Sequence, residues 1–364
     1  MNLNFWHSFN FWALFLFTSI IFISCGDDED PTPSPPAQDG YFIVNEGGFG
    51  NANTSLSYYD RQKDSVLNNV FSNTNNRPLG DQTQSMAVFD DRGFIVVQNS
   101  AKIEVIDRET FESLATIGVD EGIISPRYFL GISPTKGYVT DWGADGVSGT
   151  VKVLDLENYE VTSSIPVGAG PNELILANNQ VYVANGGGFG SDSTVVVIDP
   201  QTDTIIEEIV VGDNPSSLTV DTNGNIWVVG VGKLVYDPVD FSVVETESTP
   251  GFIARLENDE VAFTLPAAQI NTGPASIRVN PAGQQLYFRY QGDIHQMGIT
   301  DIALPTNPLI DESFYGLAVD PISGEILTGK APNFSSVGSF TRYSPSGDLI
   351  RSYTVGIAPN GFAF

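Results

Sequence analysis

The sequence predicts an all-β fold: a seven-bladed β-propeller of four-stranded blades, closed by a C-terminal strand that joins the first blade. From Tyr41 onward, short strand-like segments are separated by Gly, Asn, Asp and Pro. No segment longer than a turn has a helical period. A repeat of 44 residues runs through the middle of the chain. The alternative architecture, a pair of β-sandwiches, leaves that spacing unexplained.

The repeat keeps its register at three landmarks. Three pairs of segments are 44 positions apart: residues 138–141 and 182–185, 152–155 and 196–199, and 166–168 and 210–212. Each unit opens after a Gly-x-x-Pro step, carries an aromatic residue in its second strand and ends its third strand in Asp. Four strands in about 40 to 50 residues is the size of a propeller blade.

Second strands can be counted along the chain, and there are seven. Their marker residues are Phe42, Phe94, Tyr138, Tyr182, Trp227, Tyr287 and Leu327. The first has no inner strand before it, whereas residues 360–364 follow a Gly-x-x-Pro step at Gly356 and have no blade of their own. We therefore predict that residues 360–364 complete blade one and close the ring, because an open ring would leave unpaired backbone edges.

The N-terminal region predicts secretion and lipid anchoring. Residues 1–24 contain no charged side chain apart from the titratable His7, and residues 11–24 form an apolar run that is short for a membrane span. The segment 22–25 resembles a bacterial lipobox, which implies acylation of Cys25. Residues 25–40 then form an acidic, Pro-rich linker, and residues 41–364 the propeller. The acidic residues directly after Cys25 resemble the surface-export signal of Bacteroidetes lipoproteins. The alternative to the signal peptide is an uncleaved anchor helix, and the alternative to the export signal is a merely solvated acidic linker.

Composition limits the partners and the chemistry. The formal net charge is −28, which disfavours nucleic acid because the protein and phosphate backbones repel each other. Cys25 is the only cysteine, and His295 is the only histidine after it. A histidine metal cluster is thus impossible, and a catalytic triad would need His295, which we place in a third strand. The sequence therefore predicts a protein that is not an enzyme.

Other candidate chemical groups have structural explanations. Asp155, Asp199 and Asp237 each end a predicted third strand, where Asp favours the turn that follows. Asp141 and Asp145 are a weak candidate Ca²⁺ pair that lacks the carboxylate density of a loop site. The Gly-rich segment 186–190 is unlike a phosphate loop, because no helix or Lys follows it. No metal site or cofactor is predicted.

The repeat resembles the YVTN, or YncE-like, propellers, whose Tyr-Val-Thr-Asn signature corresponds to residues 182–185. A narrower resemblance covers the whole mature chain. Residues 44–50 (Val-Asn-Glu-Gly-Gly-Phe-Gly), 55–60, 315–321 and 356–362 are similar to DUF5074-type surface lipoproteins of Bacteroidetes. The best understood of these captures cobalamin at the cell surface and passes it to a TonB-dependent outer-membrane receptor.

That resemblance implies a non-enzymatic, ligand-capturing role at the outer membrane, anchored by lipid and exposed at the cell surface. The implied ligand is a cobalamin-type corrinoid, bound as cargo rather than as a catalytic cofactor, and the implied partner is a TonB-dependent receptor. An adhesion or protein- and glycan-interaction scaffold is the second hypothesis. A propeller lactonase or quinoprotein-like oxidoreductase is the third, and the scarcity of His disfavours it.

The binding site is predicted on the face that carries the loops between second and third strands. Four aromatic residues lie in these loops: Phe49, Trp142, Phe189 and Phe334. Glycine-flanked aromatic rings suit stacking on a flat ligand. The two Gly-Gly-Phe-Gly loops belong to blades one and four and should face each other across the ring. Polar contacts are predicted from Asn45, Gln98, Asn172, Asn185 and Tyr290. In the alternative interpretation the rings plug the mouth as packing residues.

The anchoring hypothesis is tested by the change Cys25→Ala. Because the variant lacks the only thiol that can be acylated, we expect it to incorporate no labelled fatty acid and to leave the membrane fraction. Metabolic labelling and cell fractionation measure both properties. A variant that still carries the label and sediments with the outer membrane would contradict the lipobox interpretation.

Overall fold

The computed structural model describes residues 39–364, which contain 27 β-strands in seven antiparallel sheets. Each sheet contacts the next one along the chain, and the last contacts the first, so the sheets are the seven blades of a propeller. The predicted fold class is confirmed. The predictions for the signal peptide, for Cys25 and for the linker up to residue 38 lie outside the described residues.

The first four blades follow the chain in order. Blade one contains β1 (Gly40–Asn45), β2 (Ser55–Asp60) and β3 (Ser65–Leu67). Blade two contains β4 (Thr83–Phe89), β5 (Arg92–Val97), β6 (Lys102–Asp107) and β7 (Ser113–Ile117). Blade three contains β8 (Pro126–Ser133), β9 (Lys136–Asp141), β10 (Thr150–Asp155) and β11 (Glu160–Pro166). Blade four contains β12 (Pro171–Ala177), β13 (Gln180–Asn185), β14 (Thr194–Asp199) and β15 (Thr204–Val210).

The remaining blades complete the ring. Blade five contains β16 (Pro215–Val220), β17 (Ile226–Gly230), β18 (Pro250–Glu257) and β19 (Glu260–Ile270). Blade six contains β20 (Ala275–Val279), β21 (Gln285–Tyr290) and β22 (Asp293–Gly298). Blade seven contains β23 (Gly316–Val319), β24 (Ile326–Lys330), β25 (Val337–Tyr343) and β26 (Leu349–Ile357), and β27 (Pro359–Ala363) then enters blade one.

Short helices occur only in loops of the described region. The α-helix α1 (Val70–Asn75) follows blade one and buries Val70 and Phe71 against the core shared by blades one and two. Two 3₁₀ helices, Gln98–Ser100 and Val119–Glu121, lie in loops of blade two. Among residues 39–364, no helix is long and apolar enough to cross a membrane.

The second strands are the most deeply buried part of each blade. In β13, for example, every residue from Val181 to Asn185 is buried. Both faces of a blade pack against neighbouring blades, so these strands are continuous apolar runs rather than alternating patterns. All seven marker residues predicted for second strands lie in β1, β5, β9, β13, β17, β21 and β24. The apolar clusters lie at the junctions between blades, as where Phe94 of blade two stacks on Phe129 of blade three at 3.9 Å between ring centroids.

The ring is closed by the last strand of the chain. In β27, Ala363 pairs with Phe42 of β1, Phe362 with Ile43, and Gly361 with Val44. Strand β27 is therefore the innermost strand of blade one, and the predicted closure is observed. Phe362 and Phe364 are half-buried rather than fully in the core. The Phe364 ring lies 5.3 Å from the Tyr41 ring.

Polar side chains reinforce the junction of blades one and seven. Arg61, just after β2, forms an ion pair with the buried Asp320 of blade seven. Nearby, Asp64 accepts hydrogen bonds from Tyr353 and Tyr59 and pairs with Arg342 at 2.8 Å. Hydrogen bonds from the Tyr353 and Tyr59 hydroxyls and from the Arg351 guanidinium lower the pKa of Asp64 to about 2. The carboxylate thus stays ionised and bonded to blade seven across the neutral pH range.

Blades five and six differ from the simple repeat. We predicted that Asp237 ends the third strand of blade five, which was wrong: Asp237 lies in an insertion, and the third strand is β18. Asp237 still accepts the Val239 backbone N–H at 2.8 Å, so its turn chemistry is as expected. In blade six the outer position holds an irregular segment that meets β22 through one bridge, between Ile294 and Ile310.

The closing strand is tested by ending the chain after Ala358. The truncation removes the β27–β1 ladder and exposes the edge of β1, so we expect a loss of at least about 5 kcal/mol of unfolding free energy, close to the stability of an ordinary domain. Thermal unfolding monitored by circular dichroism measures it. Deleting Phe364 alone, which follows the last residue of β27, is the matched control and should cost about 1–2 kcal/mol. An unchanged melting temperature in the long truncation would contradict the role of closure.

Candidate functional site

Two sets of loops lie on the same side of the ring. One set joins second to third strands, and the other joins each outer strand to the inner strand of the next blade. We call the opening of the central channel on this side the mouth. Several inner strands begin right after a residue with positive φ, as at Gly170 (54°), Asn214 (55°) and Ala358 (52°). A Cβ on Gly170 would lie 1.9 Å from the Gly188 nitrogen, so only glycine lets these two loops meet.

Below the mouth, an ion pair joins the inner strands of blades four and six. Arg278 of blade six donates to Glu173 of blade four, with Nη2–Oε1 at 2.9 Å and Nη1–Oε2 at 3.2 Å. Ser217 of blade five donates to the same carboxylate at 2.6 Å. Burial opposes the charge on Arg278, but the neighbouring Glu173 carboxylate outweighs this effect and raises the pKa of Arg278 above its usual value. The cavity at this level is about 330 Å³ and is lined by polar side chains that include Gln84 and Tyr128.

One aromatic pair stands at the mouth between blades three and four. The Trp142 and Phe189 rings meet edge to face, with centroids 5.8 Å apart. The Trp142 indole N–H donates to the Pro171 carbonyl at 3.0 Å, which fixes its ring. Phe189 lies over Gly146, and its side chain is 82 % exposed. The two rings therefore lie next to each other, as predicted. Trp142 is anchored by its hydrogen bond, whereas Phe189 is open to solvent.

A second pair lies between blades seven and one. The Phe334 ring meets the Tyr315 ring edge to face at 4.9 Å. The Phe334 backbone lies against Gly48, in the loop that carries Phe49. Phe49 is 73 % exposed, and Phe334 is 49 % exposed. Because blades one and four are three apart in a ring of seven, these aromatics stand across the mouth from the first pair.

Polar residues that the sequence analysis did not identify lie between the two pairs. The Glu46 carboxylate accepts hydrogen bonds from the Tyr315 hydroxyl and from Gln82. The Arg127 guanidinium lies 4.0 Å from the Trp142 ring centroid and donates to Gln98. Burial raises the pKa of Glu46 and lowers the pKa of Arg127. Glu46 lies in the segment 44–50 and Tyr315 begins the segment 315–321, so both segments carried a signal, whereas nothing local marks Arg127.

Two of the predicted polar contacts are structural instead. Asn45 and Asn185 end the second strands of blades one and four, and both are fully buried. The Asn45 amide donates to Ser57 at 2.9 Å, and the Asn185 amide donates to Thr194 at 2.9 Å. These bonds tie each second strand to its third strand, and both side-chain oxygens are buried without a hydrogen-bond partner in the described part of the chain.

Tyr290 is also not available at the mouth. Its ring packs inside blade six, 5.3 Å from the His295 ring, and the residue is only 6 % exposed. Gln98 and Asn172 remain candidates, because both are half-buried at the mouth. Gln98 receives the Arg127 hydrogen bond, and the Asn172 side-chain oxygen has no partner within the described residues.

The described residues offer little for catalysis or metal binding. Within residues 39–364, no group of three or more His, Cys, Asp or Glu side chains is placed to hold a metal ion. His295 is buried in β22, the third strand of blade six, as predicted. Asp141 accepts backbone N–H bonds from Ile124 and Gly143, both at 2.8 Å, so this carboxylate folds its loop.

A comparison with known protein families identifies the family of this chain. Residues 39–356 match the family model DUF5074, described as a domain of unknown function. The chain belongs to the DUF5074 family. The match covers nearly the whole ring, and it confirms the family resemblance at the level of the domain. No relative was found among curated proteins.

Solved propellers resemble this DUF5074 ring in fold. A functionally unknown protein from Desulfotomaculum acetoxidans is 13% identical, with a TM-score of 0.63, covering 89% of this chain and 97% of its own. A putative 6-phosphogluconolactonase from Bacteroides uniformis is 12% identical, with a TM-score of 0.60, covering 89% and 99%. Hydrazine synthase from Kuenenia stuttgartiensis is 13% identical, with a TM-score of 0.57, covering 78% and 89%. Identities this low show the shared fold alone.

Proposed function

We propose that this DUF5074 propeller is a non-enzymatic binding protein that captures a small-molecule ligand at the mouth. The observation that carries the proposal is the set of exposed rings, Phe49, Phe189 and Phe334, standing around a polar floor. Large exposed aromatic side chains that cluster on one face mark binding surfaces in soluble proteins. Rings supported by glycine loops offer flat apolar contact, and the polar floor offers hydrogen bonds for orientation.

A cobalamin-type corrinoid is the proposed ligand. Support comes from the resemblance of residues 44–50 and 356–362 to corrinoid-capturing surface lipoproteins and from the exposed aromatic loops on opposite blades. The cavity of about 330 Å³ lies at the small end for a ligand pocket, and the Glu173–Arg278 pair is part of its lining. A flat macrocycle would therefore lie across the mouth rather than enter the channel. Gln98 and Asn172 would then face its amide side chains.

The same proposal includes the place of action. The apolar run 11–24 that ends at Cys25 supports a lipid anchor in the outer membrane, with the propeller at the cell surface. The partner would be a TonB-dependent receptor that takes over the captured ligand. The receptor would have to contact the propeller without covering the mouth, or cover the mouth only while it takes over the ligand.

A protein-interaction scaffold is the second candidate function, favoured by the insertion in blade five. Residues 231–249 form a hairpin-like loop on the mouth side, with bridges Lys233–Thr249 and Tyr236–Val243. Its tip exposes Val239 (86 %) and Phe241 (76 %). An apolar tip of this kind is typical of protein contacts. It is compatible with ligand capture if the tip contacts a receptor.

The proposed function is tested by titrating the mature protein with cyanocobalamin, followed by absorbance and tryptophan fluorescence. Replacing Phe49, Trp142 and Phe189 together with Ala should reduce the affinity by about tenfold or more, because each aromatic contact contributes roughly 0.5–1.5 kcal/mol. The fold should survive, since the Phe49 and Phe189 side chains lie mostly in solvent and the Trp142 side chain, which is not in the buried core, makes one hydrogen bond, to the Pro171 carbonyl.

The matched control removes three exposed apolar side chains elsewhere. Ile302, Ile322 and Leu349 are 81 %, 77 % and 66 % exposed. Ile302 follows β22, Ile322 lies in the turn between β23 and β24, and Leu349 begins β26, all away from the mouth. Their triple replacement with Ala should leave the cyanocobalamin affinity unchanged. Absence of binding by the wild-type protein would exclude this ligand. Loss of stability before affinity in the aromatic variant would show that the rings are a structural plug.

A further inference from the structure

Asp81 lies on the mouth side between blades one and two, just before β4, and its side chain contacts loops of both blades. We propose that Asp81 is a positioning residue of the binding site. It fixes the Phe49 loop, residues 46–54, relative to the 3₁₀ helix Gln98–Ser100 of blade two. The inference rests on the proposed function in that both elements belong to the proposed site, whereas the contacts that carry it involve no ligand.

The Asp81 carboxylate joins the two elements through one of its oxygens. Oδ2 accepts the backbone N–H of Gly50, next to Phe49, at 2.9 Å, and it also accepts the side-chain amide of Asn99. Asn99 is the middle residue of the 3₁₀ helix. The Asp81 backbone N–H donates to the Ser100 hydroxyl at 2.9 Å. Asp81 is therefore bonded to the Phe49 loop on one side and twice to the helix on the other.

The backbone on either side of Asp81 is shaped for these contacts. Gly80 has a φ of 143°, and a Cβ there would lie 2.7 Å from the Ser100 hydroxyl oxygen, so glycine lets the segment approach the helix. Gln82 has a φ of 52°, which residues with a side chain rarely adopt. Its carbonyl accepts the Gln98 backbone N–H at 2.8 Å. The neighbours of Asp81 thus hold the helix as well.

The second oxygen of the carboxylate is left unsatisfied. Oδ1 of Asp81 is buried and has no hydrogen-bond partner in the described part of the chain, and the residue is only 8 % exposed. A buried acceptor without a donor costs free energy, so an orphaned group of this kind calls for an explanation. The joining of two binding elements through Oδ2 is such an explanation.

The tip of the Phe49 loop is the part that depends on Asp81. At its base the loop is joined to blade two by a hydrogen bond between the Thr54 and Thr83 hydroxyls at 2.6 Å, which a change at Asp81 leaves in place. The Phe189 loop of blade four is held by the backbone, because the Phe189 N–H donates to a carbonyl of blade three at 3.1 Å. Removal of the Asp81 carboxylate should therefore free one aromatic tip and not the other.

The 3₁₀ helix leads on to the Trp142 ring. Its first residue, Gln98, accepts a hydrogen bond from Arg127, and the Arg127 guanidinium lies 4.0 Å from the Trp142 ring centroid. Asp81 thus belongs to a chain of contacts that runs from the Phe49 loop to Trp142. A ligand that touches both rings needs them in a constant arrangement, and preorganisation of this kind lowers the cost of binding.

The test is hydrogen–deuterium exchange of the mature protein without ligand, measured by mass spectrometry for the wild type, Asp81→Ala and Asp81→Asn. In Asp81→Ala we expect exchange to be about tenfold faster or more in residues 48–51 and 98–101, because hydrogen bonds to a carboxylate protect these amides. Exchange in residues 186–190 should not change. Asp81→Asn should retain most of the protection, since an amide oxygen at the position of Oδ2 can accept both hydrogen bonds.

The matched control is Asp155→Ala. Asp155 accepts hydrogen bonds within its own turn on the opposite side of the ring, from the Glu157 backbone N–H at 2.7 Å and from the Asn158 side chain at 2.8 Å. Exchange in residues 48–51 should be the same as in the wild type. Wild-type exchange in Asp81→Ala, or faster exchange in every mouth loop alike, would overturn the positioning role.

A cyanocobalamin titration of the same variants keeps the two proposals apart. If the wild type binds, Asp81→Ala should weaken the affinity by about tenfold, because the free tip must be ordered on binding, and Asp81→Asn should restore most of it. Unchanged affinity despite a freed tip would overturn the role of Asp81 in binding. If the wild type does not bind, the corrinoid is rejected, and the exchange pattern alone decides whether Asp81 positions the two elements.

Discussion

The pairing of β27 with β1 is the constraint on which the rest of the structure depends. Blade one receives its inner strand from the far end of the chain, and without that strand the backbone edge of β1 would be unpaired. Closure also places blade seven beside blade one. That neighbourhood brings Tyr315 to Glu46 and Phe334 to Gly48, so half of the mouth exists only in the closed ring.

Much of the fold could be predicted because its determinants are local and repeated. The apolar run around Tyr182 is buried on both faces, and a sequence of this kind recurs in every blade, so the second strands were recognisable. The Gly-x-x-Pro step revealed the closing strand. The prediction was wrong at Asp237, because the segment before it looks like a third strand, whereas β18 follows 13 residues later, at Pro250. Only tertiary pairing with β17 distinguishes the two.

The candidate site was predictable in its apolar part and not in its polar part. Phe49 and Phe189 were recognisable from the sequence because glycines flank them in loops, where both are exposed. The directions of Asn45 and Asn185 depend on strand register, which turns both amides into the blade. The Tyr315–Glu46 bond joins residues 269 positions apart, and no local pattern encodes such a contact. The polar floor of the mouth is thus a product of the closed ring rather than of any one repeat.

In the proposed function, ligand is held at the mouth, between the aromatic loops of opposite blades. Hydrogen–deuterium exchange of the mature protein with and without cyanocobalamin tests it most directly. We expect slower exchange in residues 46–50, 142–149 and 186–190, with no change in the turns on the opposite side, such as residues 133–136. Protection confined to those turns, with the mouth loops unchanged while ligand is bound, would contradict it.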